Sequence, residues 1–386
     1  MIGSSTHSID QRKLAWLTLK LLPGLGNRSL LKLVSHFGSP EAVLQANAAE
    51  IHAVEGLRPH AVKALLSRRT SRDPSVEWQM LQSKGFRLVC LADPDYPANL
   101  AAIPDPPAVL FADGSLEPRD LVAIAVVGSR AASLTGMTFT ERLSTDLAQC
   151  GVTVVSGFAM GIDSAAHRGA LRVRGRTLAV LGCGLDQDYP QGNREMRIQI
   201  RNSGALLTEF LLGSPPEAGH FPARNRIISG LALGVVVVEA AQRSGSLITA
   251  RLALEQGREV FAVPGMARHY RSAGVHQLLR QGAKLVETAQ DVLDEIRPMI
   301  RRNPAATVRD TIVSATSGGC AHQGNFSEEE AVLMASLRKE PIHIDELGHR
   351  LQWGPSRVAS VLVSLELKGA VQQLPGKHFV RMLDGC

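Results

Sequence analysis

The middle of the chain alternates short apolar runs with segments of helical length. Strand-like apolar runs cover residues 121–127, 152–156, 177–182, 205–209, 235–239 and 259–264. Near-continuous runs such as the one from Leu121 to Val127 are typical of parallel strands that are buried on both faces. The alternation predicts an α/β fold with a doubly wound, extended Rossmann-like, mostly parallel sheet. Ligands of such sheets bind beyond the carboxyl ends of the strands.

A helical pattern precedes the predicted sheet. Residues 12–70 contain two apolar helical runs separated by the turn Pro23-Gly24-Leu25-Gly26-Asn27. This pattern predicts a small helical domain over 1–80, of the SAM or helix-hairpin-helix type, followed by the sheet domain over 81–300. A Gly-x-Gly turn between helices suits contact with a DNA phosphate, but it also suits plain helix packing, which is the more common use.

The C-terminal part has a third pattern. Residues 301–326 lose the periodicity and predict a linker. Helices are predicted at 327–338, 344–352 and 355–368, and two short strands flank Pro375-Gly376, which together predict a winged-helix domain over 327–386. The third helix carries Arg357 and Lys368, and the acidic residues that offset them are Glu328, Glu329, Glu330, Asp345 and Glu346. DNA binding and protein interaction therefore both stay open as roles for this domain.

Composition narrows the classes of protein. A chain of 386 residues with 45% hydrophobic residues is long enough for two or three domains with real cores. The net charge of +6 and the pI near 9.2 favour an acidic partner, nucleic acid first. The N-terminus lacks a secretory pattern, no apolar run reaches the length of a membrane span, and the five cysteines are scattered. We expect a cytoplasmic protein without disulfides or a zinc motif.

Small residues and arginines cluster near the ends of the predicted strands. Small residues let a phosphate approach the backbone, helix-start amides can bind it, and arginine adds planar, permanently charged donors. The arrangement predicts a site for a polyanion. The candidate binding residues are Gly128, Ser129, Arg130, Ser156, Gly157, Phe158, Gly161, Phe221, Arg224, Asn225, Arg226, Ser244, Gly245, Ser246 and Thr249.

Several cofactor and catalytic sites are excluded by missing residues. The turn after the first strand lacks Gly-x-Gly-x-x-Gly and the next strand ends in Ser156, so no dinucleotide cofactor is expected. No P-loop sequence is present. Asp163 is predicted to be a helix N-cap, and Asp163 with His167 is too small a set for a metal. Cys183 has no visible His–Asn/Asp partnership, which predicts a structural thiol.

Two glutamates leave an enzymatic alternative open. Glu209 and Glu239 end the fourth and fifth predicted strands, where paired carboxylates could hydrolyse a nucleotide. They could equally orient Arg224 and Arg226 or cap neighbouring loops.

Aromatic residues make up only 4% of the chain. Single-strand binders usually stack bases on aromatic side chains, and the candidates for this are Phe158, Tyr189 and Phe221. With so few aromatic residues, backbone contacts should dominate and sequence preference should be slight.

At these motifs the chain resembles the DNA-processing protein A (DprA/Smf) family of bacteria. The resemblance covers nearly the whole chain and is carried by residues 127–130, 156–163, 221–228, 244–250 and 263–265. It implies a cytosolic, non-enzymatic protein that binds and protects incoming single-stranded DNA during natural transformation. It also implies a homodimer formed through the Rossmann-like domain and the loading of a RecA-type recombinase.

Some positions depart from the family pattern. Met160 stands where many relatives have a basic residue, which predicts the loss of one phosphate contact, and residues 274–279 replace a common Gly-Thr-Asn-x-Leu-Ile. The same Rossmann subtype also resembles nucleotide-processing phosphoribohydrolases, which would use Glu209 or Glu239. Their Pro-Gly-Gly-x-Gly-Thr loop is absent. A weaker alternative is a transcription factor whose α/β domain senses a ligand.

Overall fold

The computed structural model describes residues 3–302, 328–337, 342–367, 371–374 and 378–381. The predicted linker lies almost wholly outside these ranges, as do Lys368 and the Pro375-Gly376 turn. The chain forms two compact units, Met1–Arg309 and Asp310–Cys386. The boundary near residue 80, between the helical domain and the sheet domain, stays a prediction.

A single large sheet organises the first unit. Its strands are β1 Arg87–Cys90, β2 Val109–Gly114, β3 Ala123–Gly128, β4 Thr153–Ser156, β5 Thr177–Val180, β6 Ala205–Thr208, β7 Gly234–Val238, β8 Glu259–Ala262 and β9 Lys284–Leu285. The order is β1-β2-β6-β5-β4-β3-β7-β8-β9. Strands β3 to β9 all run parallel to one another. Strand β2 pairs antiparallel with β6, and β1 pairs antiparallel with β2. The predicted α/β class and mostly parallel sheet are confirmed.

The sheet reverses its winding direction at β3. Ala125 pairs with Val155 of β4 on one side and with Val235 of β7 on the other. From β3 the chain continues through β4, β5 and β6 in one direction and later through β7, β8 and β9 in the other. A crevice opens at such a switch point because the connections leave in opposite directions, and ligands of doubly wound sheets bind there.

Helices cover the sheet and precede it. They are α1 Gly3–Lys20, α2 Asn27–Phe37, α3 Pro40–Gln45, α4 Ala48–Ala53, α5 Pro59–Ser67, α6 Pro74–Ser83, α7 Ala98–Ala101, α8 Leu134–Gln149, α9 Ile162–Arg172, α10 Arg194–Ser203, α11 His220–Leu231, α12 Gly245–Glu255, α13 Ala273–Arg280 and α14 Ala289–Arg302. Short 3₁₀ turns cover Pro118–Leu121 and Tyr270–Ser272. The predicted N-terminal helical region is confirmed.

The N-terminal helices pack directly against the sheet. Trp16 and Leu33 lie in one buried cluster with Phe111 and Leu206 of the sheet. The Asn27 amide fixes the turn before α2, because Nδ2 donates to the Pro106 carbonyl at 2.8 Å and Oδ1 accepts from the Ala108 amide at 2.8 Å. The Pro23–Asn27 turn is therefore held at a defined place beside the strands.

The second unit contains the winged helix. Helices α15 Glu328–Ser336, α16 Ile344–Leu351 and α17 Pro355–Leu367 accompany strands β10 Ile342–His343, β11 Val371–Leu374 and β12 His378–Arg381. The strands form an antiparallel sheet in the order β10-β12-β11. The winged-helix prediction is confirmed, although the two-residue β10 was too short to be recognised. No helix in the described ranges combines the length and the apolar character needed to cross a membrane.

Candidate nucleic-acid interface

A cleft of about 620 Å³ opens at the carboxyl edge of the sheet, at the switch point between β3 and β7. The end of β3 contributes to it, together with the starts of α11 and α12. Most of the predicted binding residues line this cleft, namely Gly128, Ser129, Arg130, Phe221, Arg224, Asn225, Ser244, Gly245, Ser246 and Thr249. The fold thus brings together segments that lie more than a hundred residues apart in the sequence.

The turn after β3 presents Arg130 to the cleft. A Cβ on Gly161 would lie 2.4 Å from the Ser129 carbonyl oxygen, so only glycine permits this approach, and its φ of +80° also favours glycine. Arg130 is exposed, and its guanidinium carbon lies 4.8 Å from the centre of the Phe221 ring. The Phe221 ring lies in turn 5.7 Å from Tyr189. A permanent positive charge therefore lies over the Phe221 ring, with Tyr189 next to that ring.

The start of α12 forms the opposite wall. Ser244 is the N-cap, and its side chain accepts from the Ser246 amide at 3.3 Å. Asn225 of α11 donates through Nδ2 to the Gly245 carbonyl at 3.4 Å, which ties the two helices together. Gly245 is exposed, so its backbone is accessible from the cleft. The positive end of the α12 dipole faces the space in front of Arg130.

Arg224 departs from the sequence-based expectation of an open guanidinium. The residue is only 4% exposed, and Nη1 donates to the carbonyls of Gly157, at 2.6 Å, and Val180. A Cβ on Gly157 would lie 2.7 Å from that Nη1, so glycine makes room for the arginine. Burial lowers the pKa of Arg224 to about 10. Its Nε has no partner among the described residues, so Arg224 forms a charged floor of the cleft.

Arg226 also departs from expectation, because it is not among the residues that line the cleft and its guanidinium is held by two carboxylates. Its Nη2 donates to Glu209 Oε2 at 2.6 Å, and its Nε lies 3.4 Å from Asp105 Oδ2. The Glu239 carboxylate accepts from the Ser133 amide at 2.8 Å and from the Ser133 hydroxyl at the start of α8. Glu209 thus binds Arg226, and Glu239 binds Ser133 at the start of α8. These contacts fit the non-catalytic alternative that the sequence left open beside hydrolysis.

Asp163 is not the N-cap of α9, contrary to the prediction. The helix begins at Ile162 with Gly161 as its N-cap, and Asp163 Oδ2 accepts from the Ala159 amide at 3.3 Å. Burial raises the pKa of the Asp163 carboxyl, and the neighbouring Arg224 guanidinium opposes this rise. Among the described residues that line the cleft, Asp163 supplies the single carboxylate. The cleft therefore keeps a net positive character.

Ser156 and Phe158 were predicted as contact residues, but the structure buries both. The Ser156 hydroxyl donates to the Val126 carbonyl at 2.6 Å, inside the sheet. Phe158 is 2% exposed and packs 6.0 Å from the His167 ring. Burial lowers the pKa of His167 to about 3, so its imidazole is neutral near pH 7. These buried side chains pack beneath the residues that line the cleft. The sequence could not distinguish them from lining residues, because small and apolar residues alternate in this segment.

The lining also includes residues that the sequence reasoning did not select, namely Ala159, Asp163, Pro216, Ala218, Pro222, Ile228, Ala241 and Ile248. Ala159 and Asp163 lie between or beside the glycines that were selected, so their proximity was a usable signal. Pro216 and Ala218 belong to the loop before α11, where no pattern marks them. Met160, 61% exposed, lies with Arg130 and Tyr189 in an adjoining hollow of about 650 Å³.

Cys183 is buried, and burial raises the pKa of its thiol, which keeps it protonated and unreactive. No group of His, Cys, Asp or Glu side chains in the described ranges has the arrangement of a metal site.

Comparison with known proteins identifies the family. The model of the DNA recombination-mediator protein A family matches residues 87–297, and the DprA winged helix domain model matches residues 323–377. The chain belongs to the DNA recombination-mediator protein A family. Protein Smf of Escherichia coli K12 is 36% identical over 96% of this chain and 96% of its own length. The family assignment agrees with the resemblance seen in the motifs.

A relative with a solved structure supports the same assignment. DNA processing protein DprA of Streptococcus pneumoniae is 42% identical over 70% of this chain and 94% of its own length. The X-ray structure of that protein superposes on this one with a TM-score of 0.64, covering 72% of this chain and 95% of the other. The Rossmann-like unit of this DprA family member is therefore shared with a solved relative.

Proposed function

We propose that this chain binds the sugar–phosphate backbone of single-stranded DNA in the cleft at the switch point. The observation that carries the proposal is the exposed Arg130 guanidinium over Phe221, facing the start of α12. Arg130 forms no ion pair with a described carboxylate, so its charge is available to a phosphate. The buried Arg224 adds a second positive charge below it.

The stacking surfaces beside the cleft favour a single strand over a duplex. Tyr189 and the planar Arg130 guanidinium over Phe221 offer flat surfaces at the mouth of the cleft, and unpaired bases can stack on such surfaces. Duplex bases are already stacked on one another and present only their edges. The backbone contacts then come from Ser129, Ser244 and Ser246, which carry no base-reading geometry, so the sequence preference should be weak.

Fluorescence anisotropy with labelled oligo-dT tests this function. Affinity should exceed that for a duplex of equal length, and its logarithm should fall with the logarithm of salt by about 0.7 per phosphate contact. Equal affinity for duplex, or a binding constant that ignores salt, would refute the proposal. Met160→Lys should strengthen binding if this position has lost a phosphate contact.

Family membership supports a wider role, which is part of the same proposal. The protein would act in the cytoplasm during natural transformation, protect incoming strands and load a RecA-type recombinase onto them. It would form a homodimer through the Rossmann-like unit, whose edge strand β9 leaves Leu285 50% exposed. Recombinase ATPase activity on a strand precoated with single-strand-binding protein should start without a lag when this protein is added. As a test of the dimer, light scattering should give twice the mass of one chain, and Leu285→Glu should lower the measured mass.

The proposal includes the absence of hydrolytic activity. Glu209 is engaged with Arg226, and Glu239 is engaged with Ser133, which supports positioning roles for both. Purified protein incubated with nucleoside monophosphates should release no free base. Turnover that disappears in Glu209→Gln or Glu239→Gln would favour the phosphoribohydrolase alternative instead.

A further inference from the structure

The N-terminal helices carry positive charge that the cleft does not use. Residues 21–70 contain six lysines and arginines and three glutamates. We define the N-terminal cationic patch as the exposed side chains of Arg28 and Lys32 in α2 together with Arg58 and Lys63 around the start of α5. Arg58, the N-cap position of α5, immediately precedes the helix.

The α2 part of the patch follows from helical spacing. Arg28 and Lys32 are four residues apart, which places them one above the other on one face. Leu30 and Leu33 are buried on the other side of the same helix. The two cations are therefore held outward by the packing of the apolar face.

Two glycine turns bring the start of α5 beside α2. A Cβ on Gly56 would lie 2.8 Å from Lys32 Nζ, so the turn before α5 touches the end of that lysine. A Cβ on Gly24 would lie 3.7 Å from the His60 ring, so the turn before α2 touches the start of α5. The cations of both helices thus share one surface.

Most of the patch is not neutralised within the described part of the chain. Lys32, Arg58 and Lys63 form no ion pair with a described carboxylate. Arg28 is 79% exposed and lies 3.6 Å from Asp105, and Glu55 is the exposed acidic residue nearest in sequence to Arg58. Like charges held together repel one another, and a polyanion relieves that repulsion.

Asp105 connects the patch to helix α11, the first residues of which line the proposed cleft. The Asp105 carboxylate lies 3.6 Å from Arg28 Nε and 3.4 Å from Arg226 Nε. Arg226 belongs to α11, the helix whose Phe221 and Asn225 line the cleft. Since Arg226 also pairs with Glu209 directly after β6, the patch and the cleft lie at the same edge of the sheet.

We propose that the N-terminal cationic patch binds the backbone of the same DNA strand and so extends its path beyond the cleft. The inference rests on the proposed function, because the strand must first occupy the cleft. The Gly26 N-cap of α2 has no side-chain cap, which leaves backbone amides at the turn to add to the lysine and arginine contacts. The occupant is a flexible polyanion, since the cations are spread over two helices rather than focused in a pocket.

The test removes two charges and varies the length of the strand. The variant Lys32→Gln with Lys63→Gln leaves the N-cap residue Arg58 in place, and both side chains are exposed, so folding should be unaffected. The matched control, Arg172→Gln with Arg174→Gln, removes two exposed arginines at the amino edge of the sheet that likewise form no ion pair with a described carboxylate. Each protein is titrated with an oligo-dT long enough only for the cleft and with one several times longer.

The expected result is a defect that depends on strand length. The patch variant should bind the short strand as the wild type does, bind the long strand more weakly, and lose up to about 1.4 from the salt slope on the long strand. The control should lose none of this length-dependent affinity. Identical long-strand affinity and slope in the patch variant and the wild type would overturn the inference, as would an equal loss in both double variants. Failure of the wild type to bind even the short strand would instead overturn the proposed function.

Discussion

Buried arginines at the two edges of this sheet have different partners. At the amino edge, Arg176 donates through Nη2 to Asp120 Oδ2 at 2.8 Å and through Nη1 to Glu117 Oε1 at 2.9 Å. At the carboxyl edge, Arg224 donates to backbone carbonyls, and its Nε has no described partner. The first guanidinium is surrounded by carboxylates, whereas the second has only the buried Asp163 nearby.

The difference shows how one residue type serves stability at one edge and binding at the other. A buried charge that is paired and hydrogen-bonded contributes no potential to its surroundings, whereas one bound by neutral carbonyls projects its charge into the adjacent space.

The largest expected effect comes from replacing either buried arginine. Arg176→Ala should lower the free energy of unfolding by about 3–5 kcal/mol, because it leaves the buried Asp120 carboxylate without its cation. Arg224→Ala should lower it by about 1–3 kcal/mol, because it leaves the buried carbonyls of Gly157 and Val180 without their donor. Urea denaturation measures the change. Wild-type stability in Arg224→Ala would contradict the proposed difference between the two edges of the sheet. Folded Arg176→Ala should keep its affinity for DNA.

A smaller effect is expected at Arg130, the exposed arginine of the carboxyl edge. Arg130→Ala should weaken single-strand binding by about 1–3 kcal/mol, the range for a charge-assisted hydrogen bond, and leave the unfolding free energy unchanged. Arg130→Lys keeps the charge but loses the planar stacking on Phe221, so it should recover part of the affinity. Anisotropy titrations measure both. Normal affinity in the alanine variant would remove Arg130 from the binding surface.

Below neutral pH the buried His167 should lower stability. Burial lowers its pKa to about 3, whereas the unfolded side chain titrates near its ordinary value, so the unfolded state takes up the proton first. The unfolding free energy should therefore fall as the pH falls below about 6.5, by about 1.4 kcal/mol at pH 5.5. Asp163, whose pKa is raised by burial, acts in the opposite direction. The difference between the wild type and His167→Gln isolates the histidine, and parallel pH profiles would contradict the assignment.

The smallest effect is expected from removing the winged helix. Arg350 donates to Glu346 at 2.7 Å and Arg357 pairs with Glu329, so both of these arginines are paired with a carboxylate within the unit. Deleting residues 320–386 should change affinity for oligo-dT by less than about threefold, because the cleft lies wholly in the first unit. A drop to non-specific affinity with the first unit still folded would move the DNA site to the winged helix.

Local pattern was sufficient for the elements that are regular and buried. The apolar runs predicted β3 to β8, and helical spacing with Pro355 at a first turn predicted α17. The strands β1 and β2 were missed because they precede the alternating pattern and join the sheet antiparallel, and the two-residue β9 is too short to carry a period.

The sequence could not predict in which direction each side chain at the cleft points. The sequence by itself determined the α/β class, the segments at the carboxyl ends of the strands and the positive character of the site, because these depend on periodicity and composition. Only the tertiary structure decided that Arg130 is exposed, that Arg224 lies under Gly157, and that Arg226 points to Glu209. Neighbouring residues on one helix point in different directions, and the partners that capture each guanidinium come from distant parts of the chain.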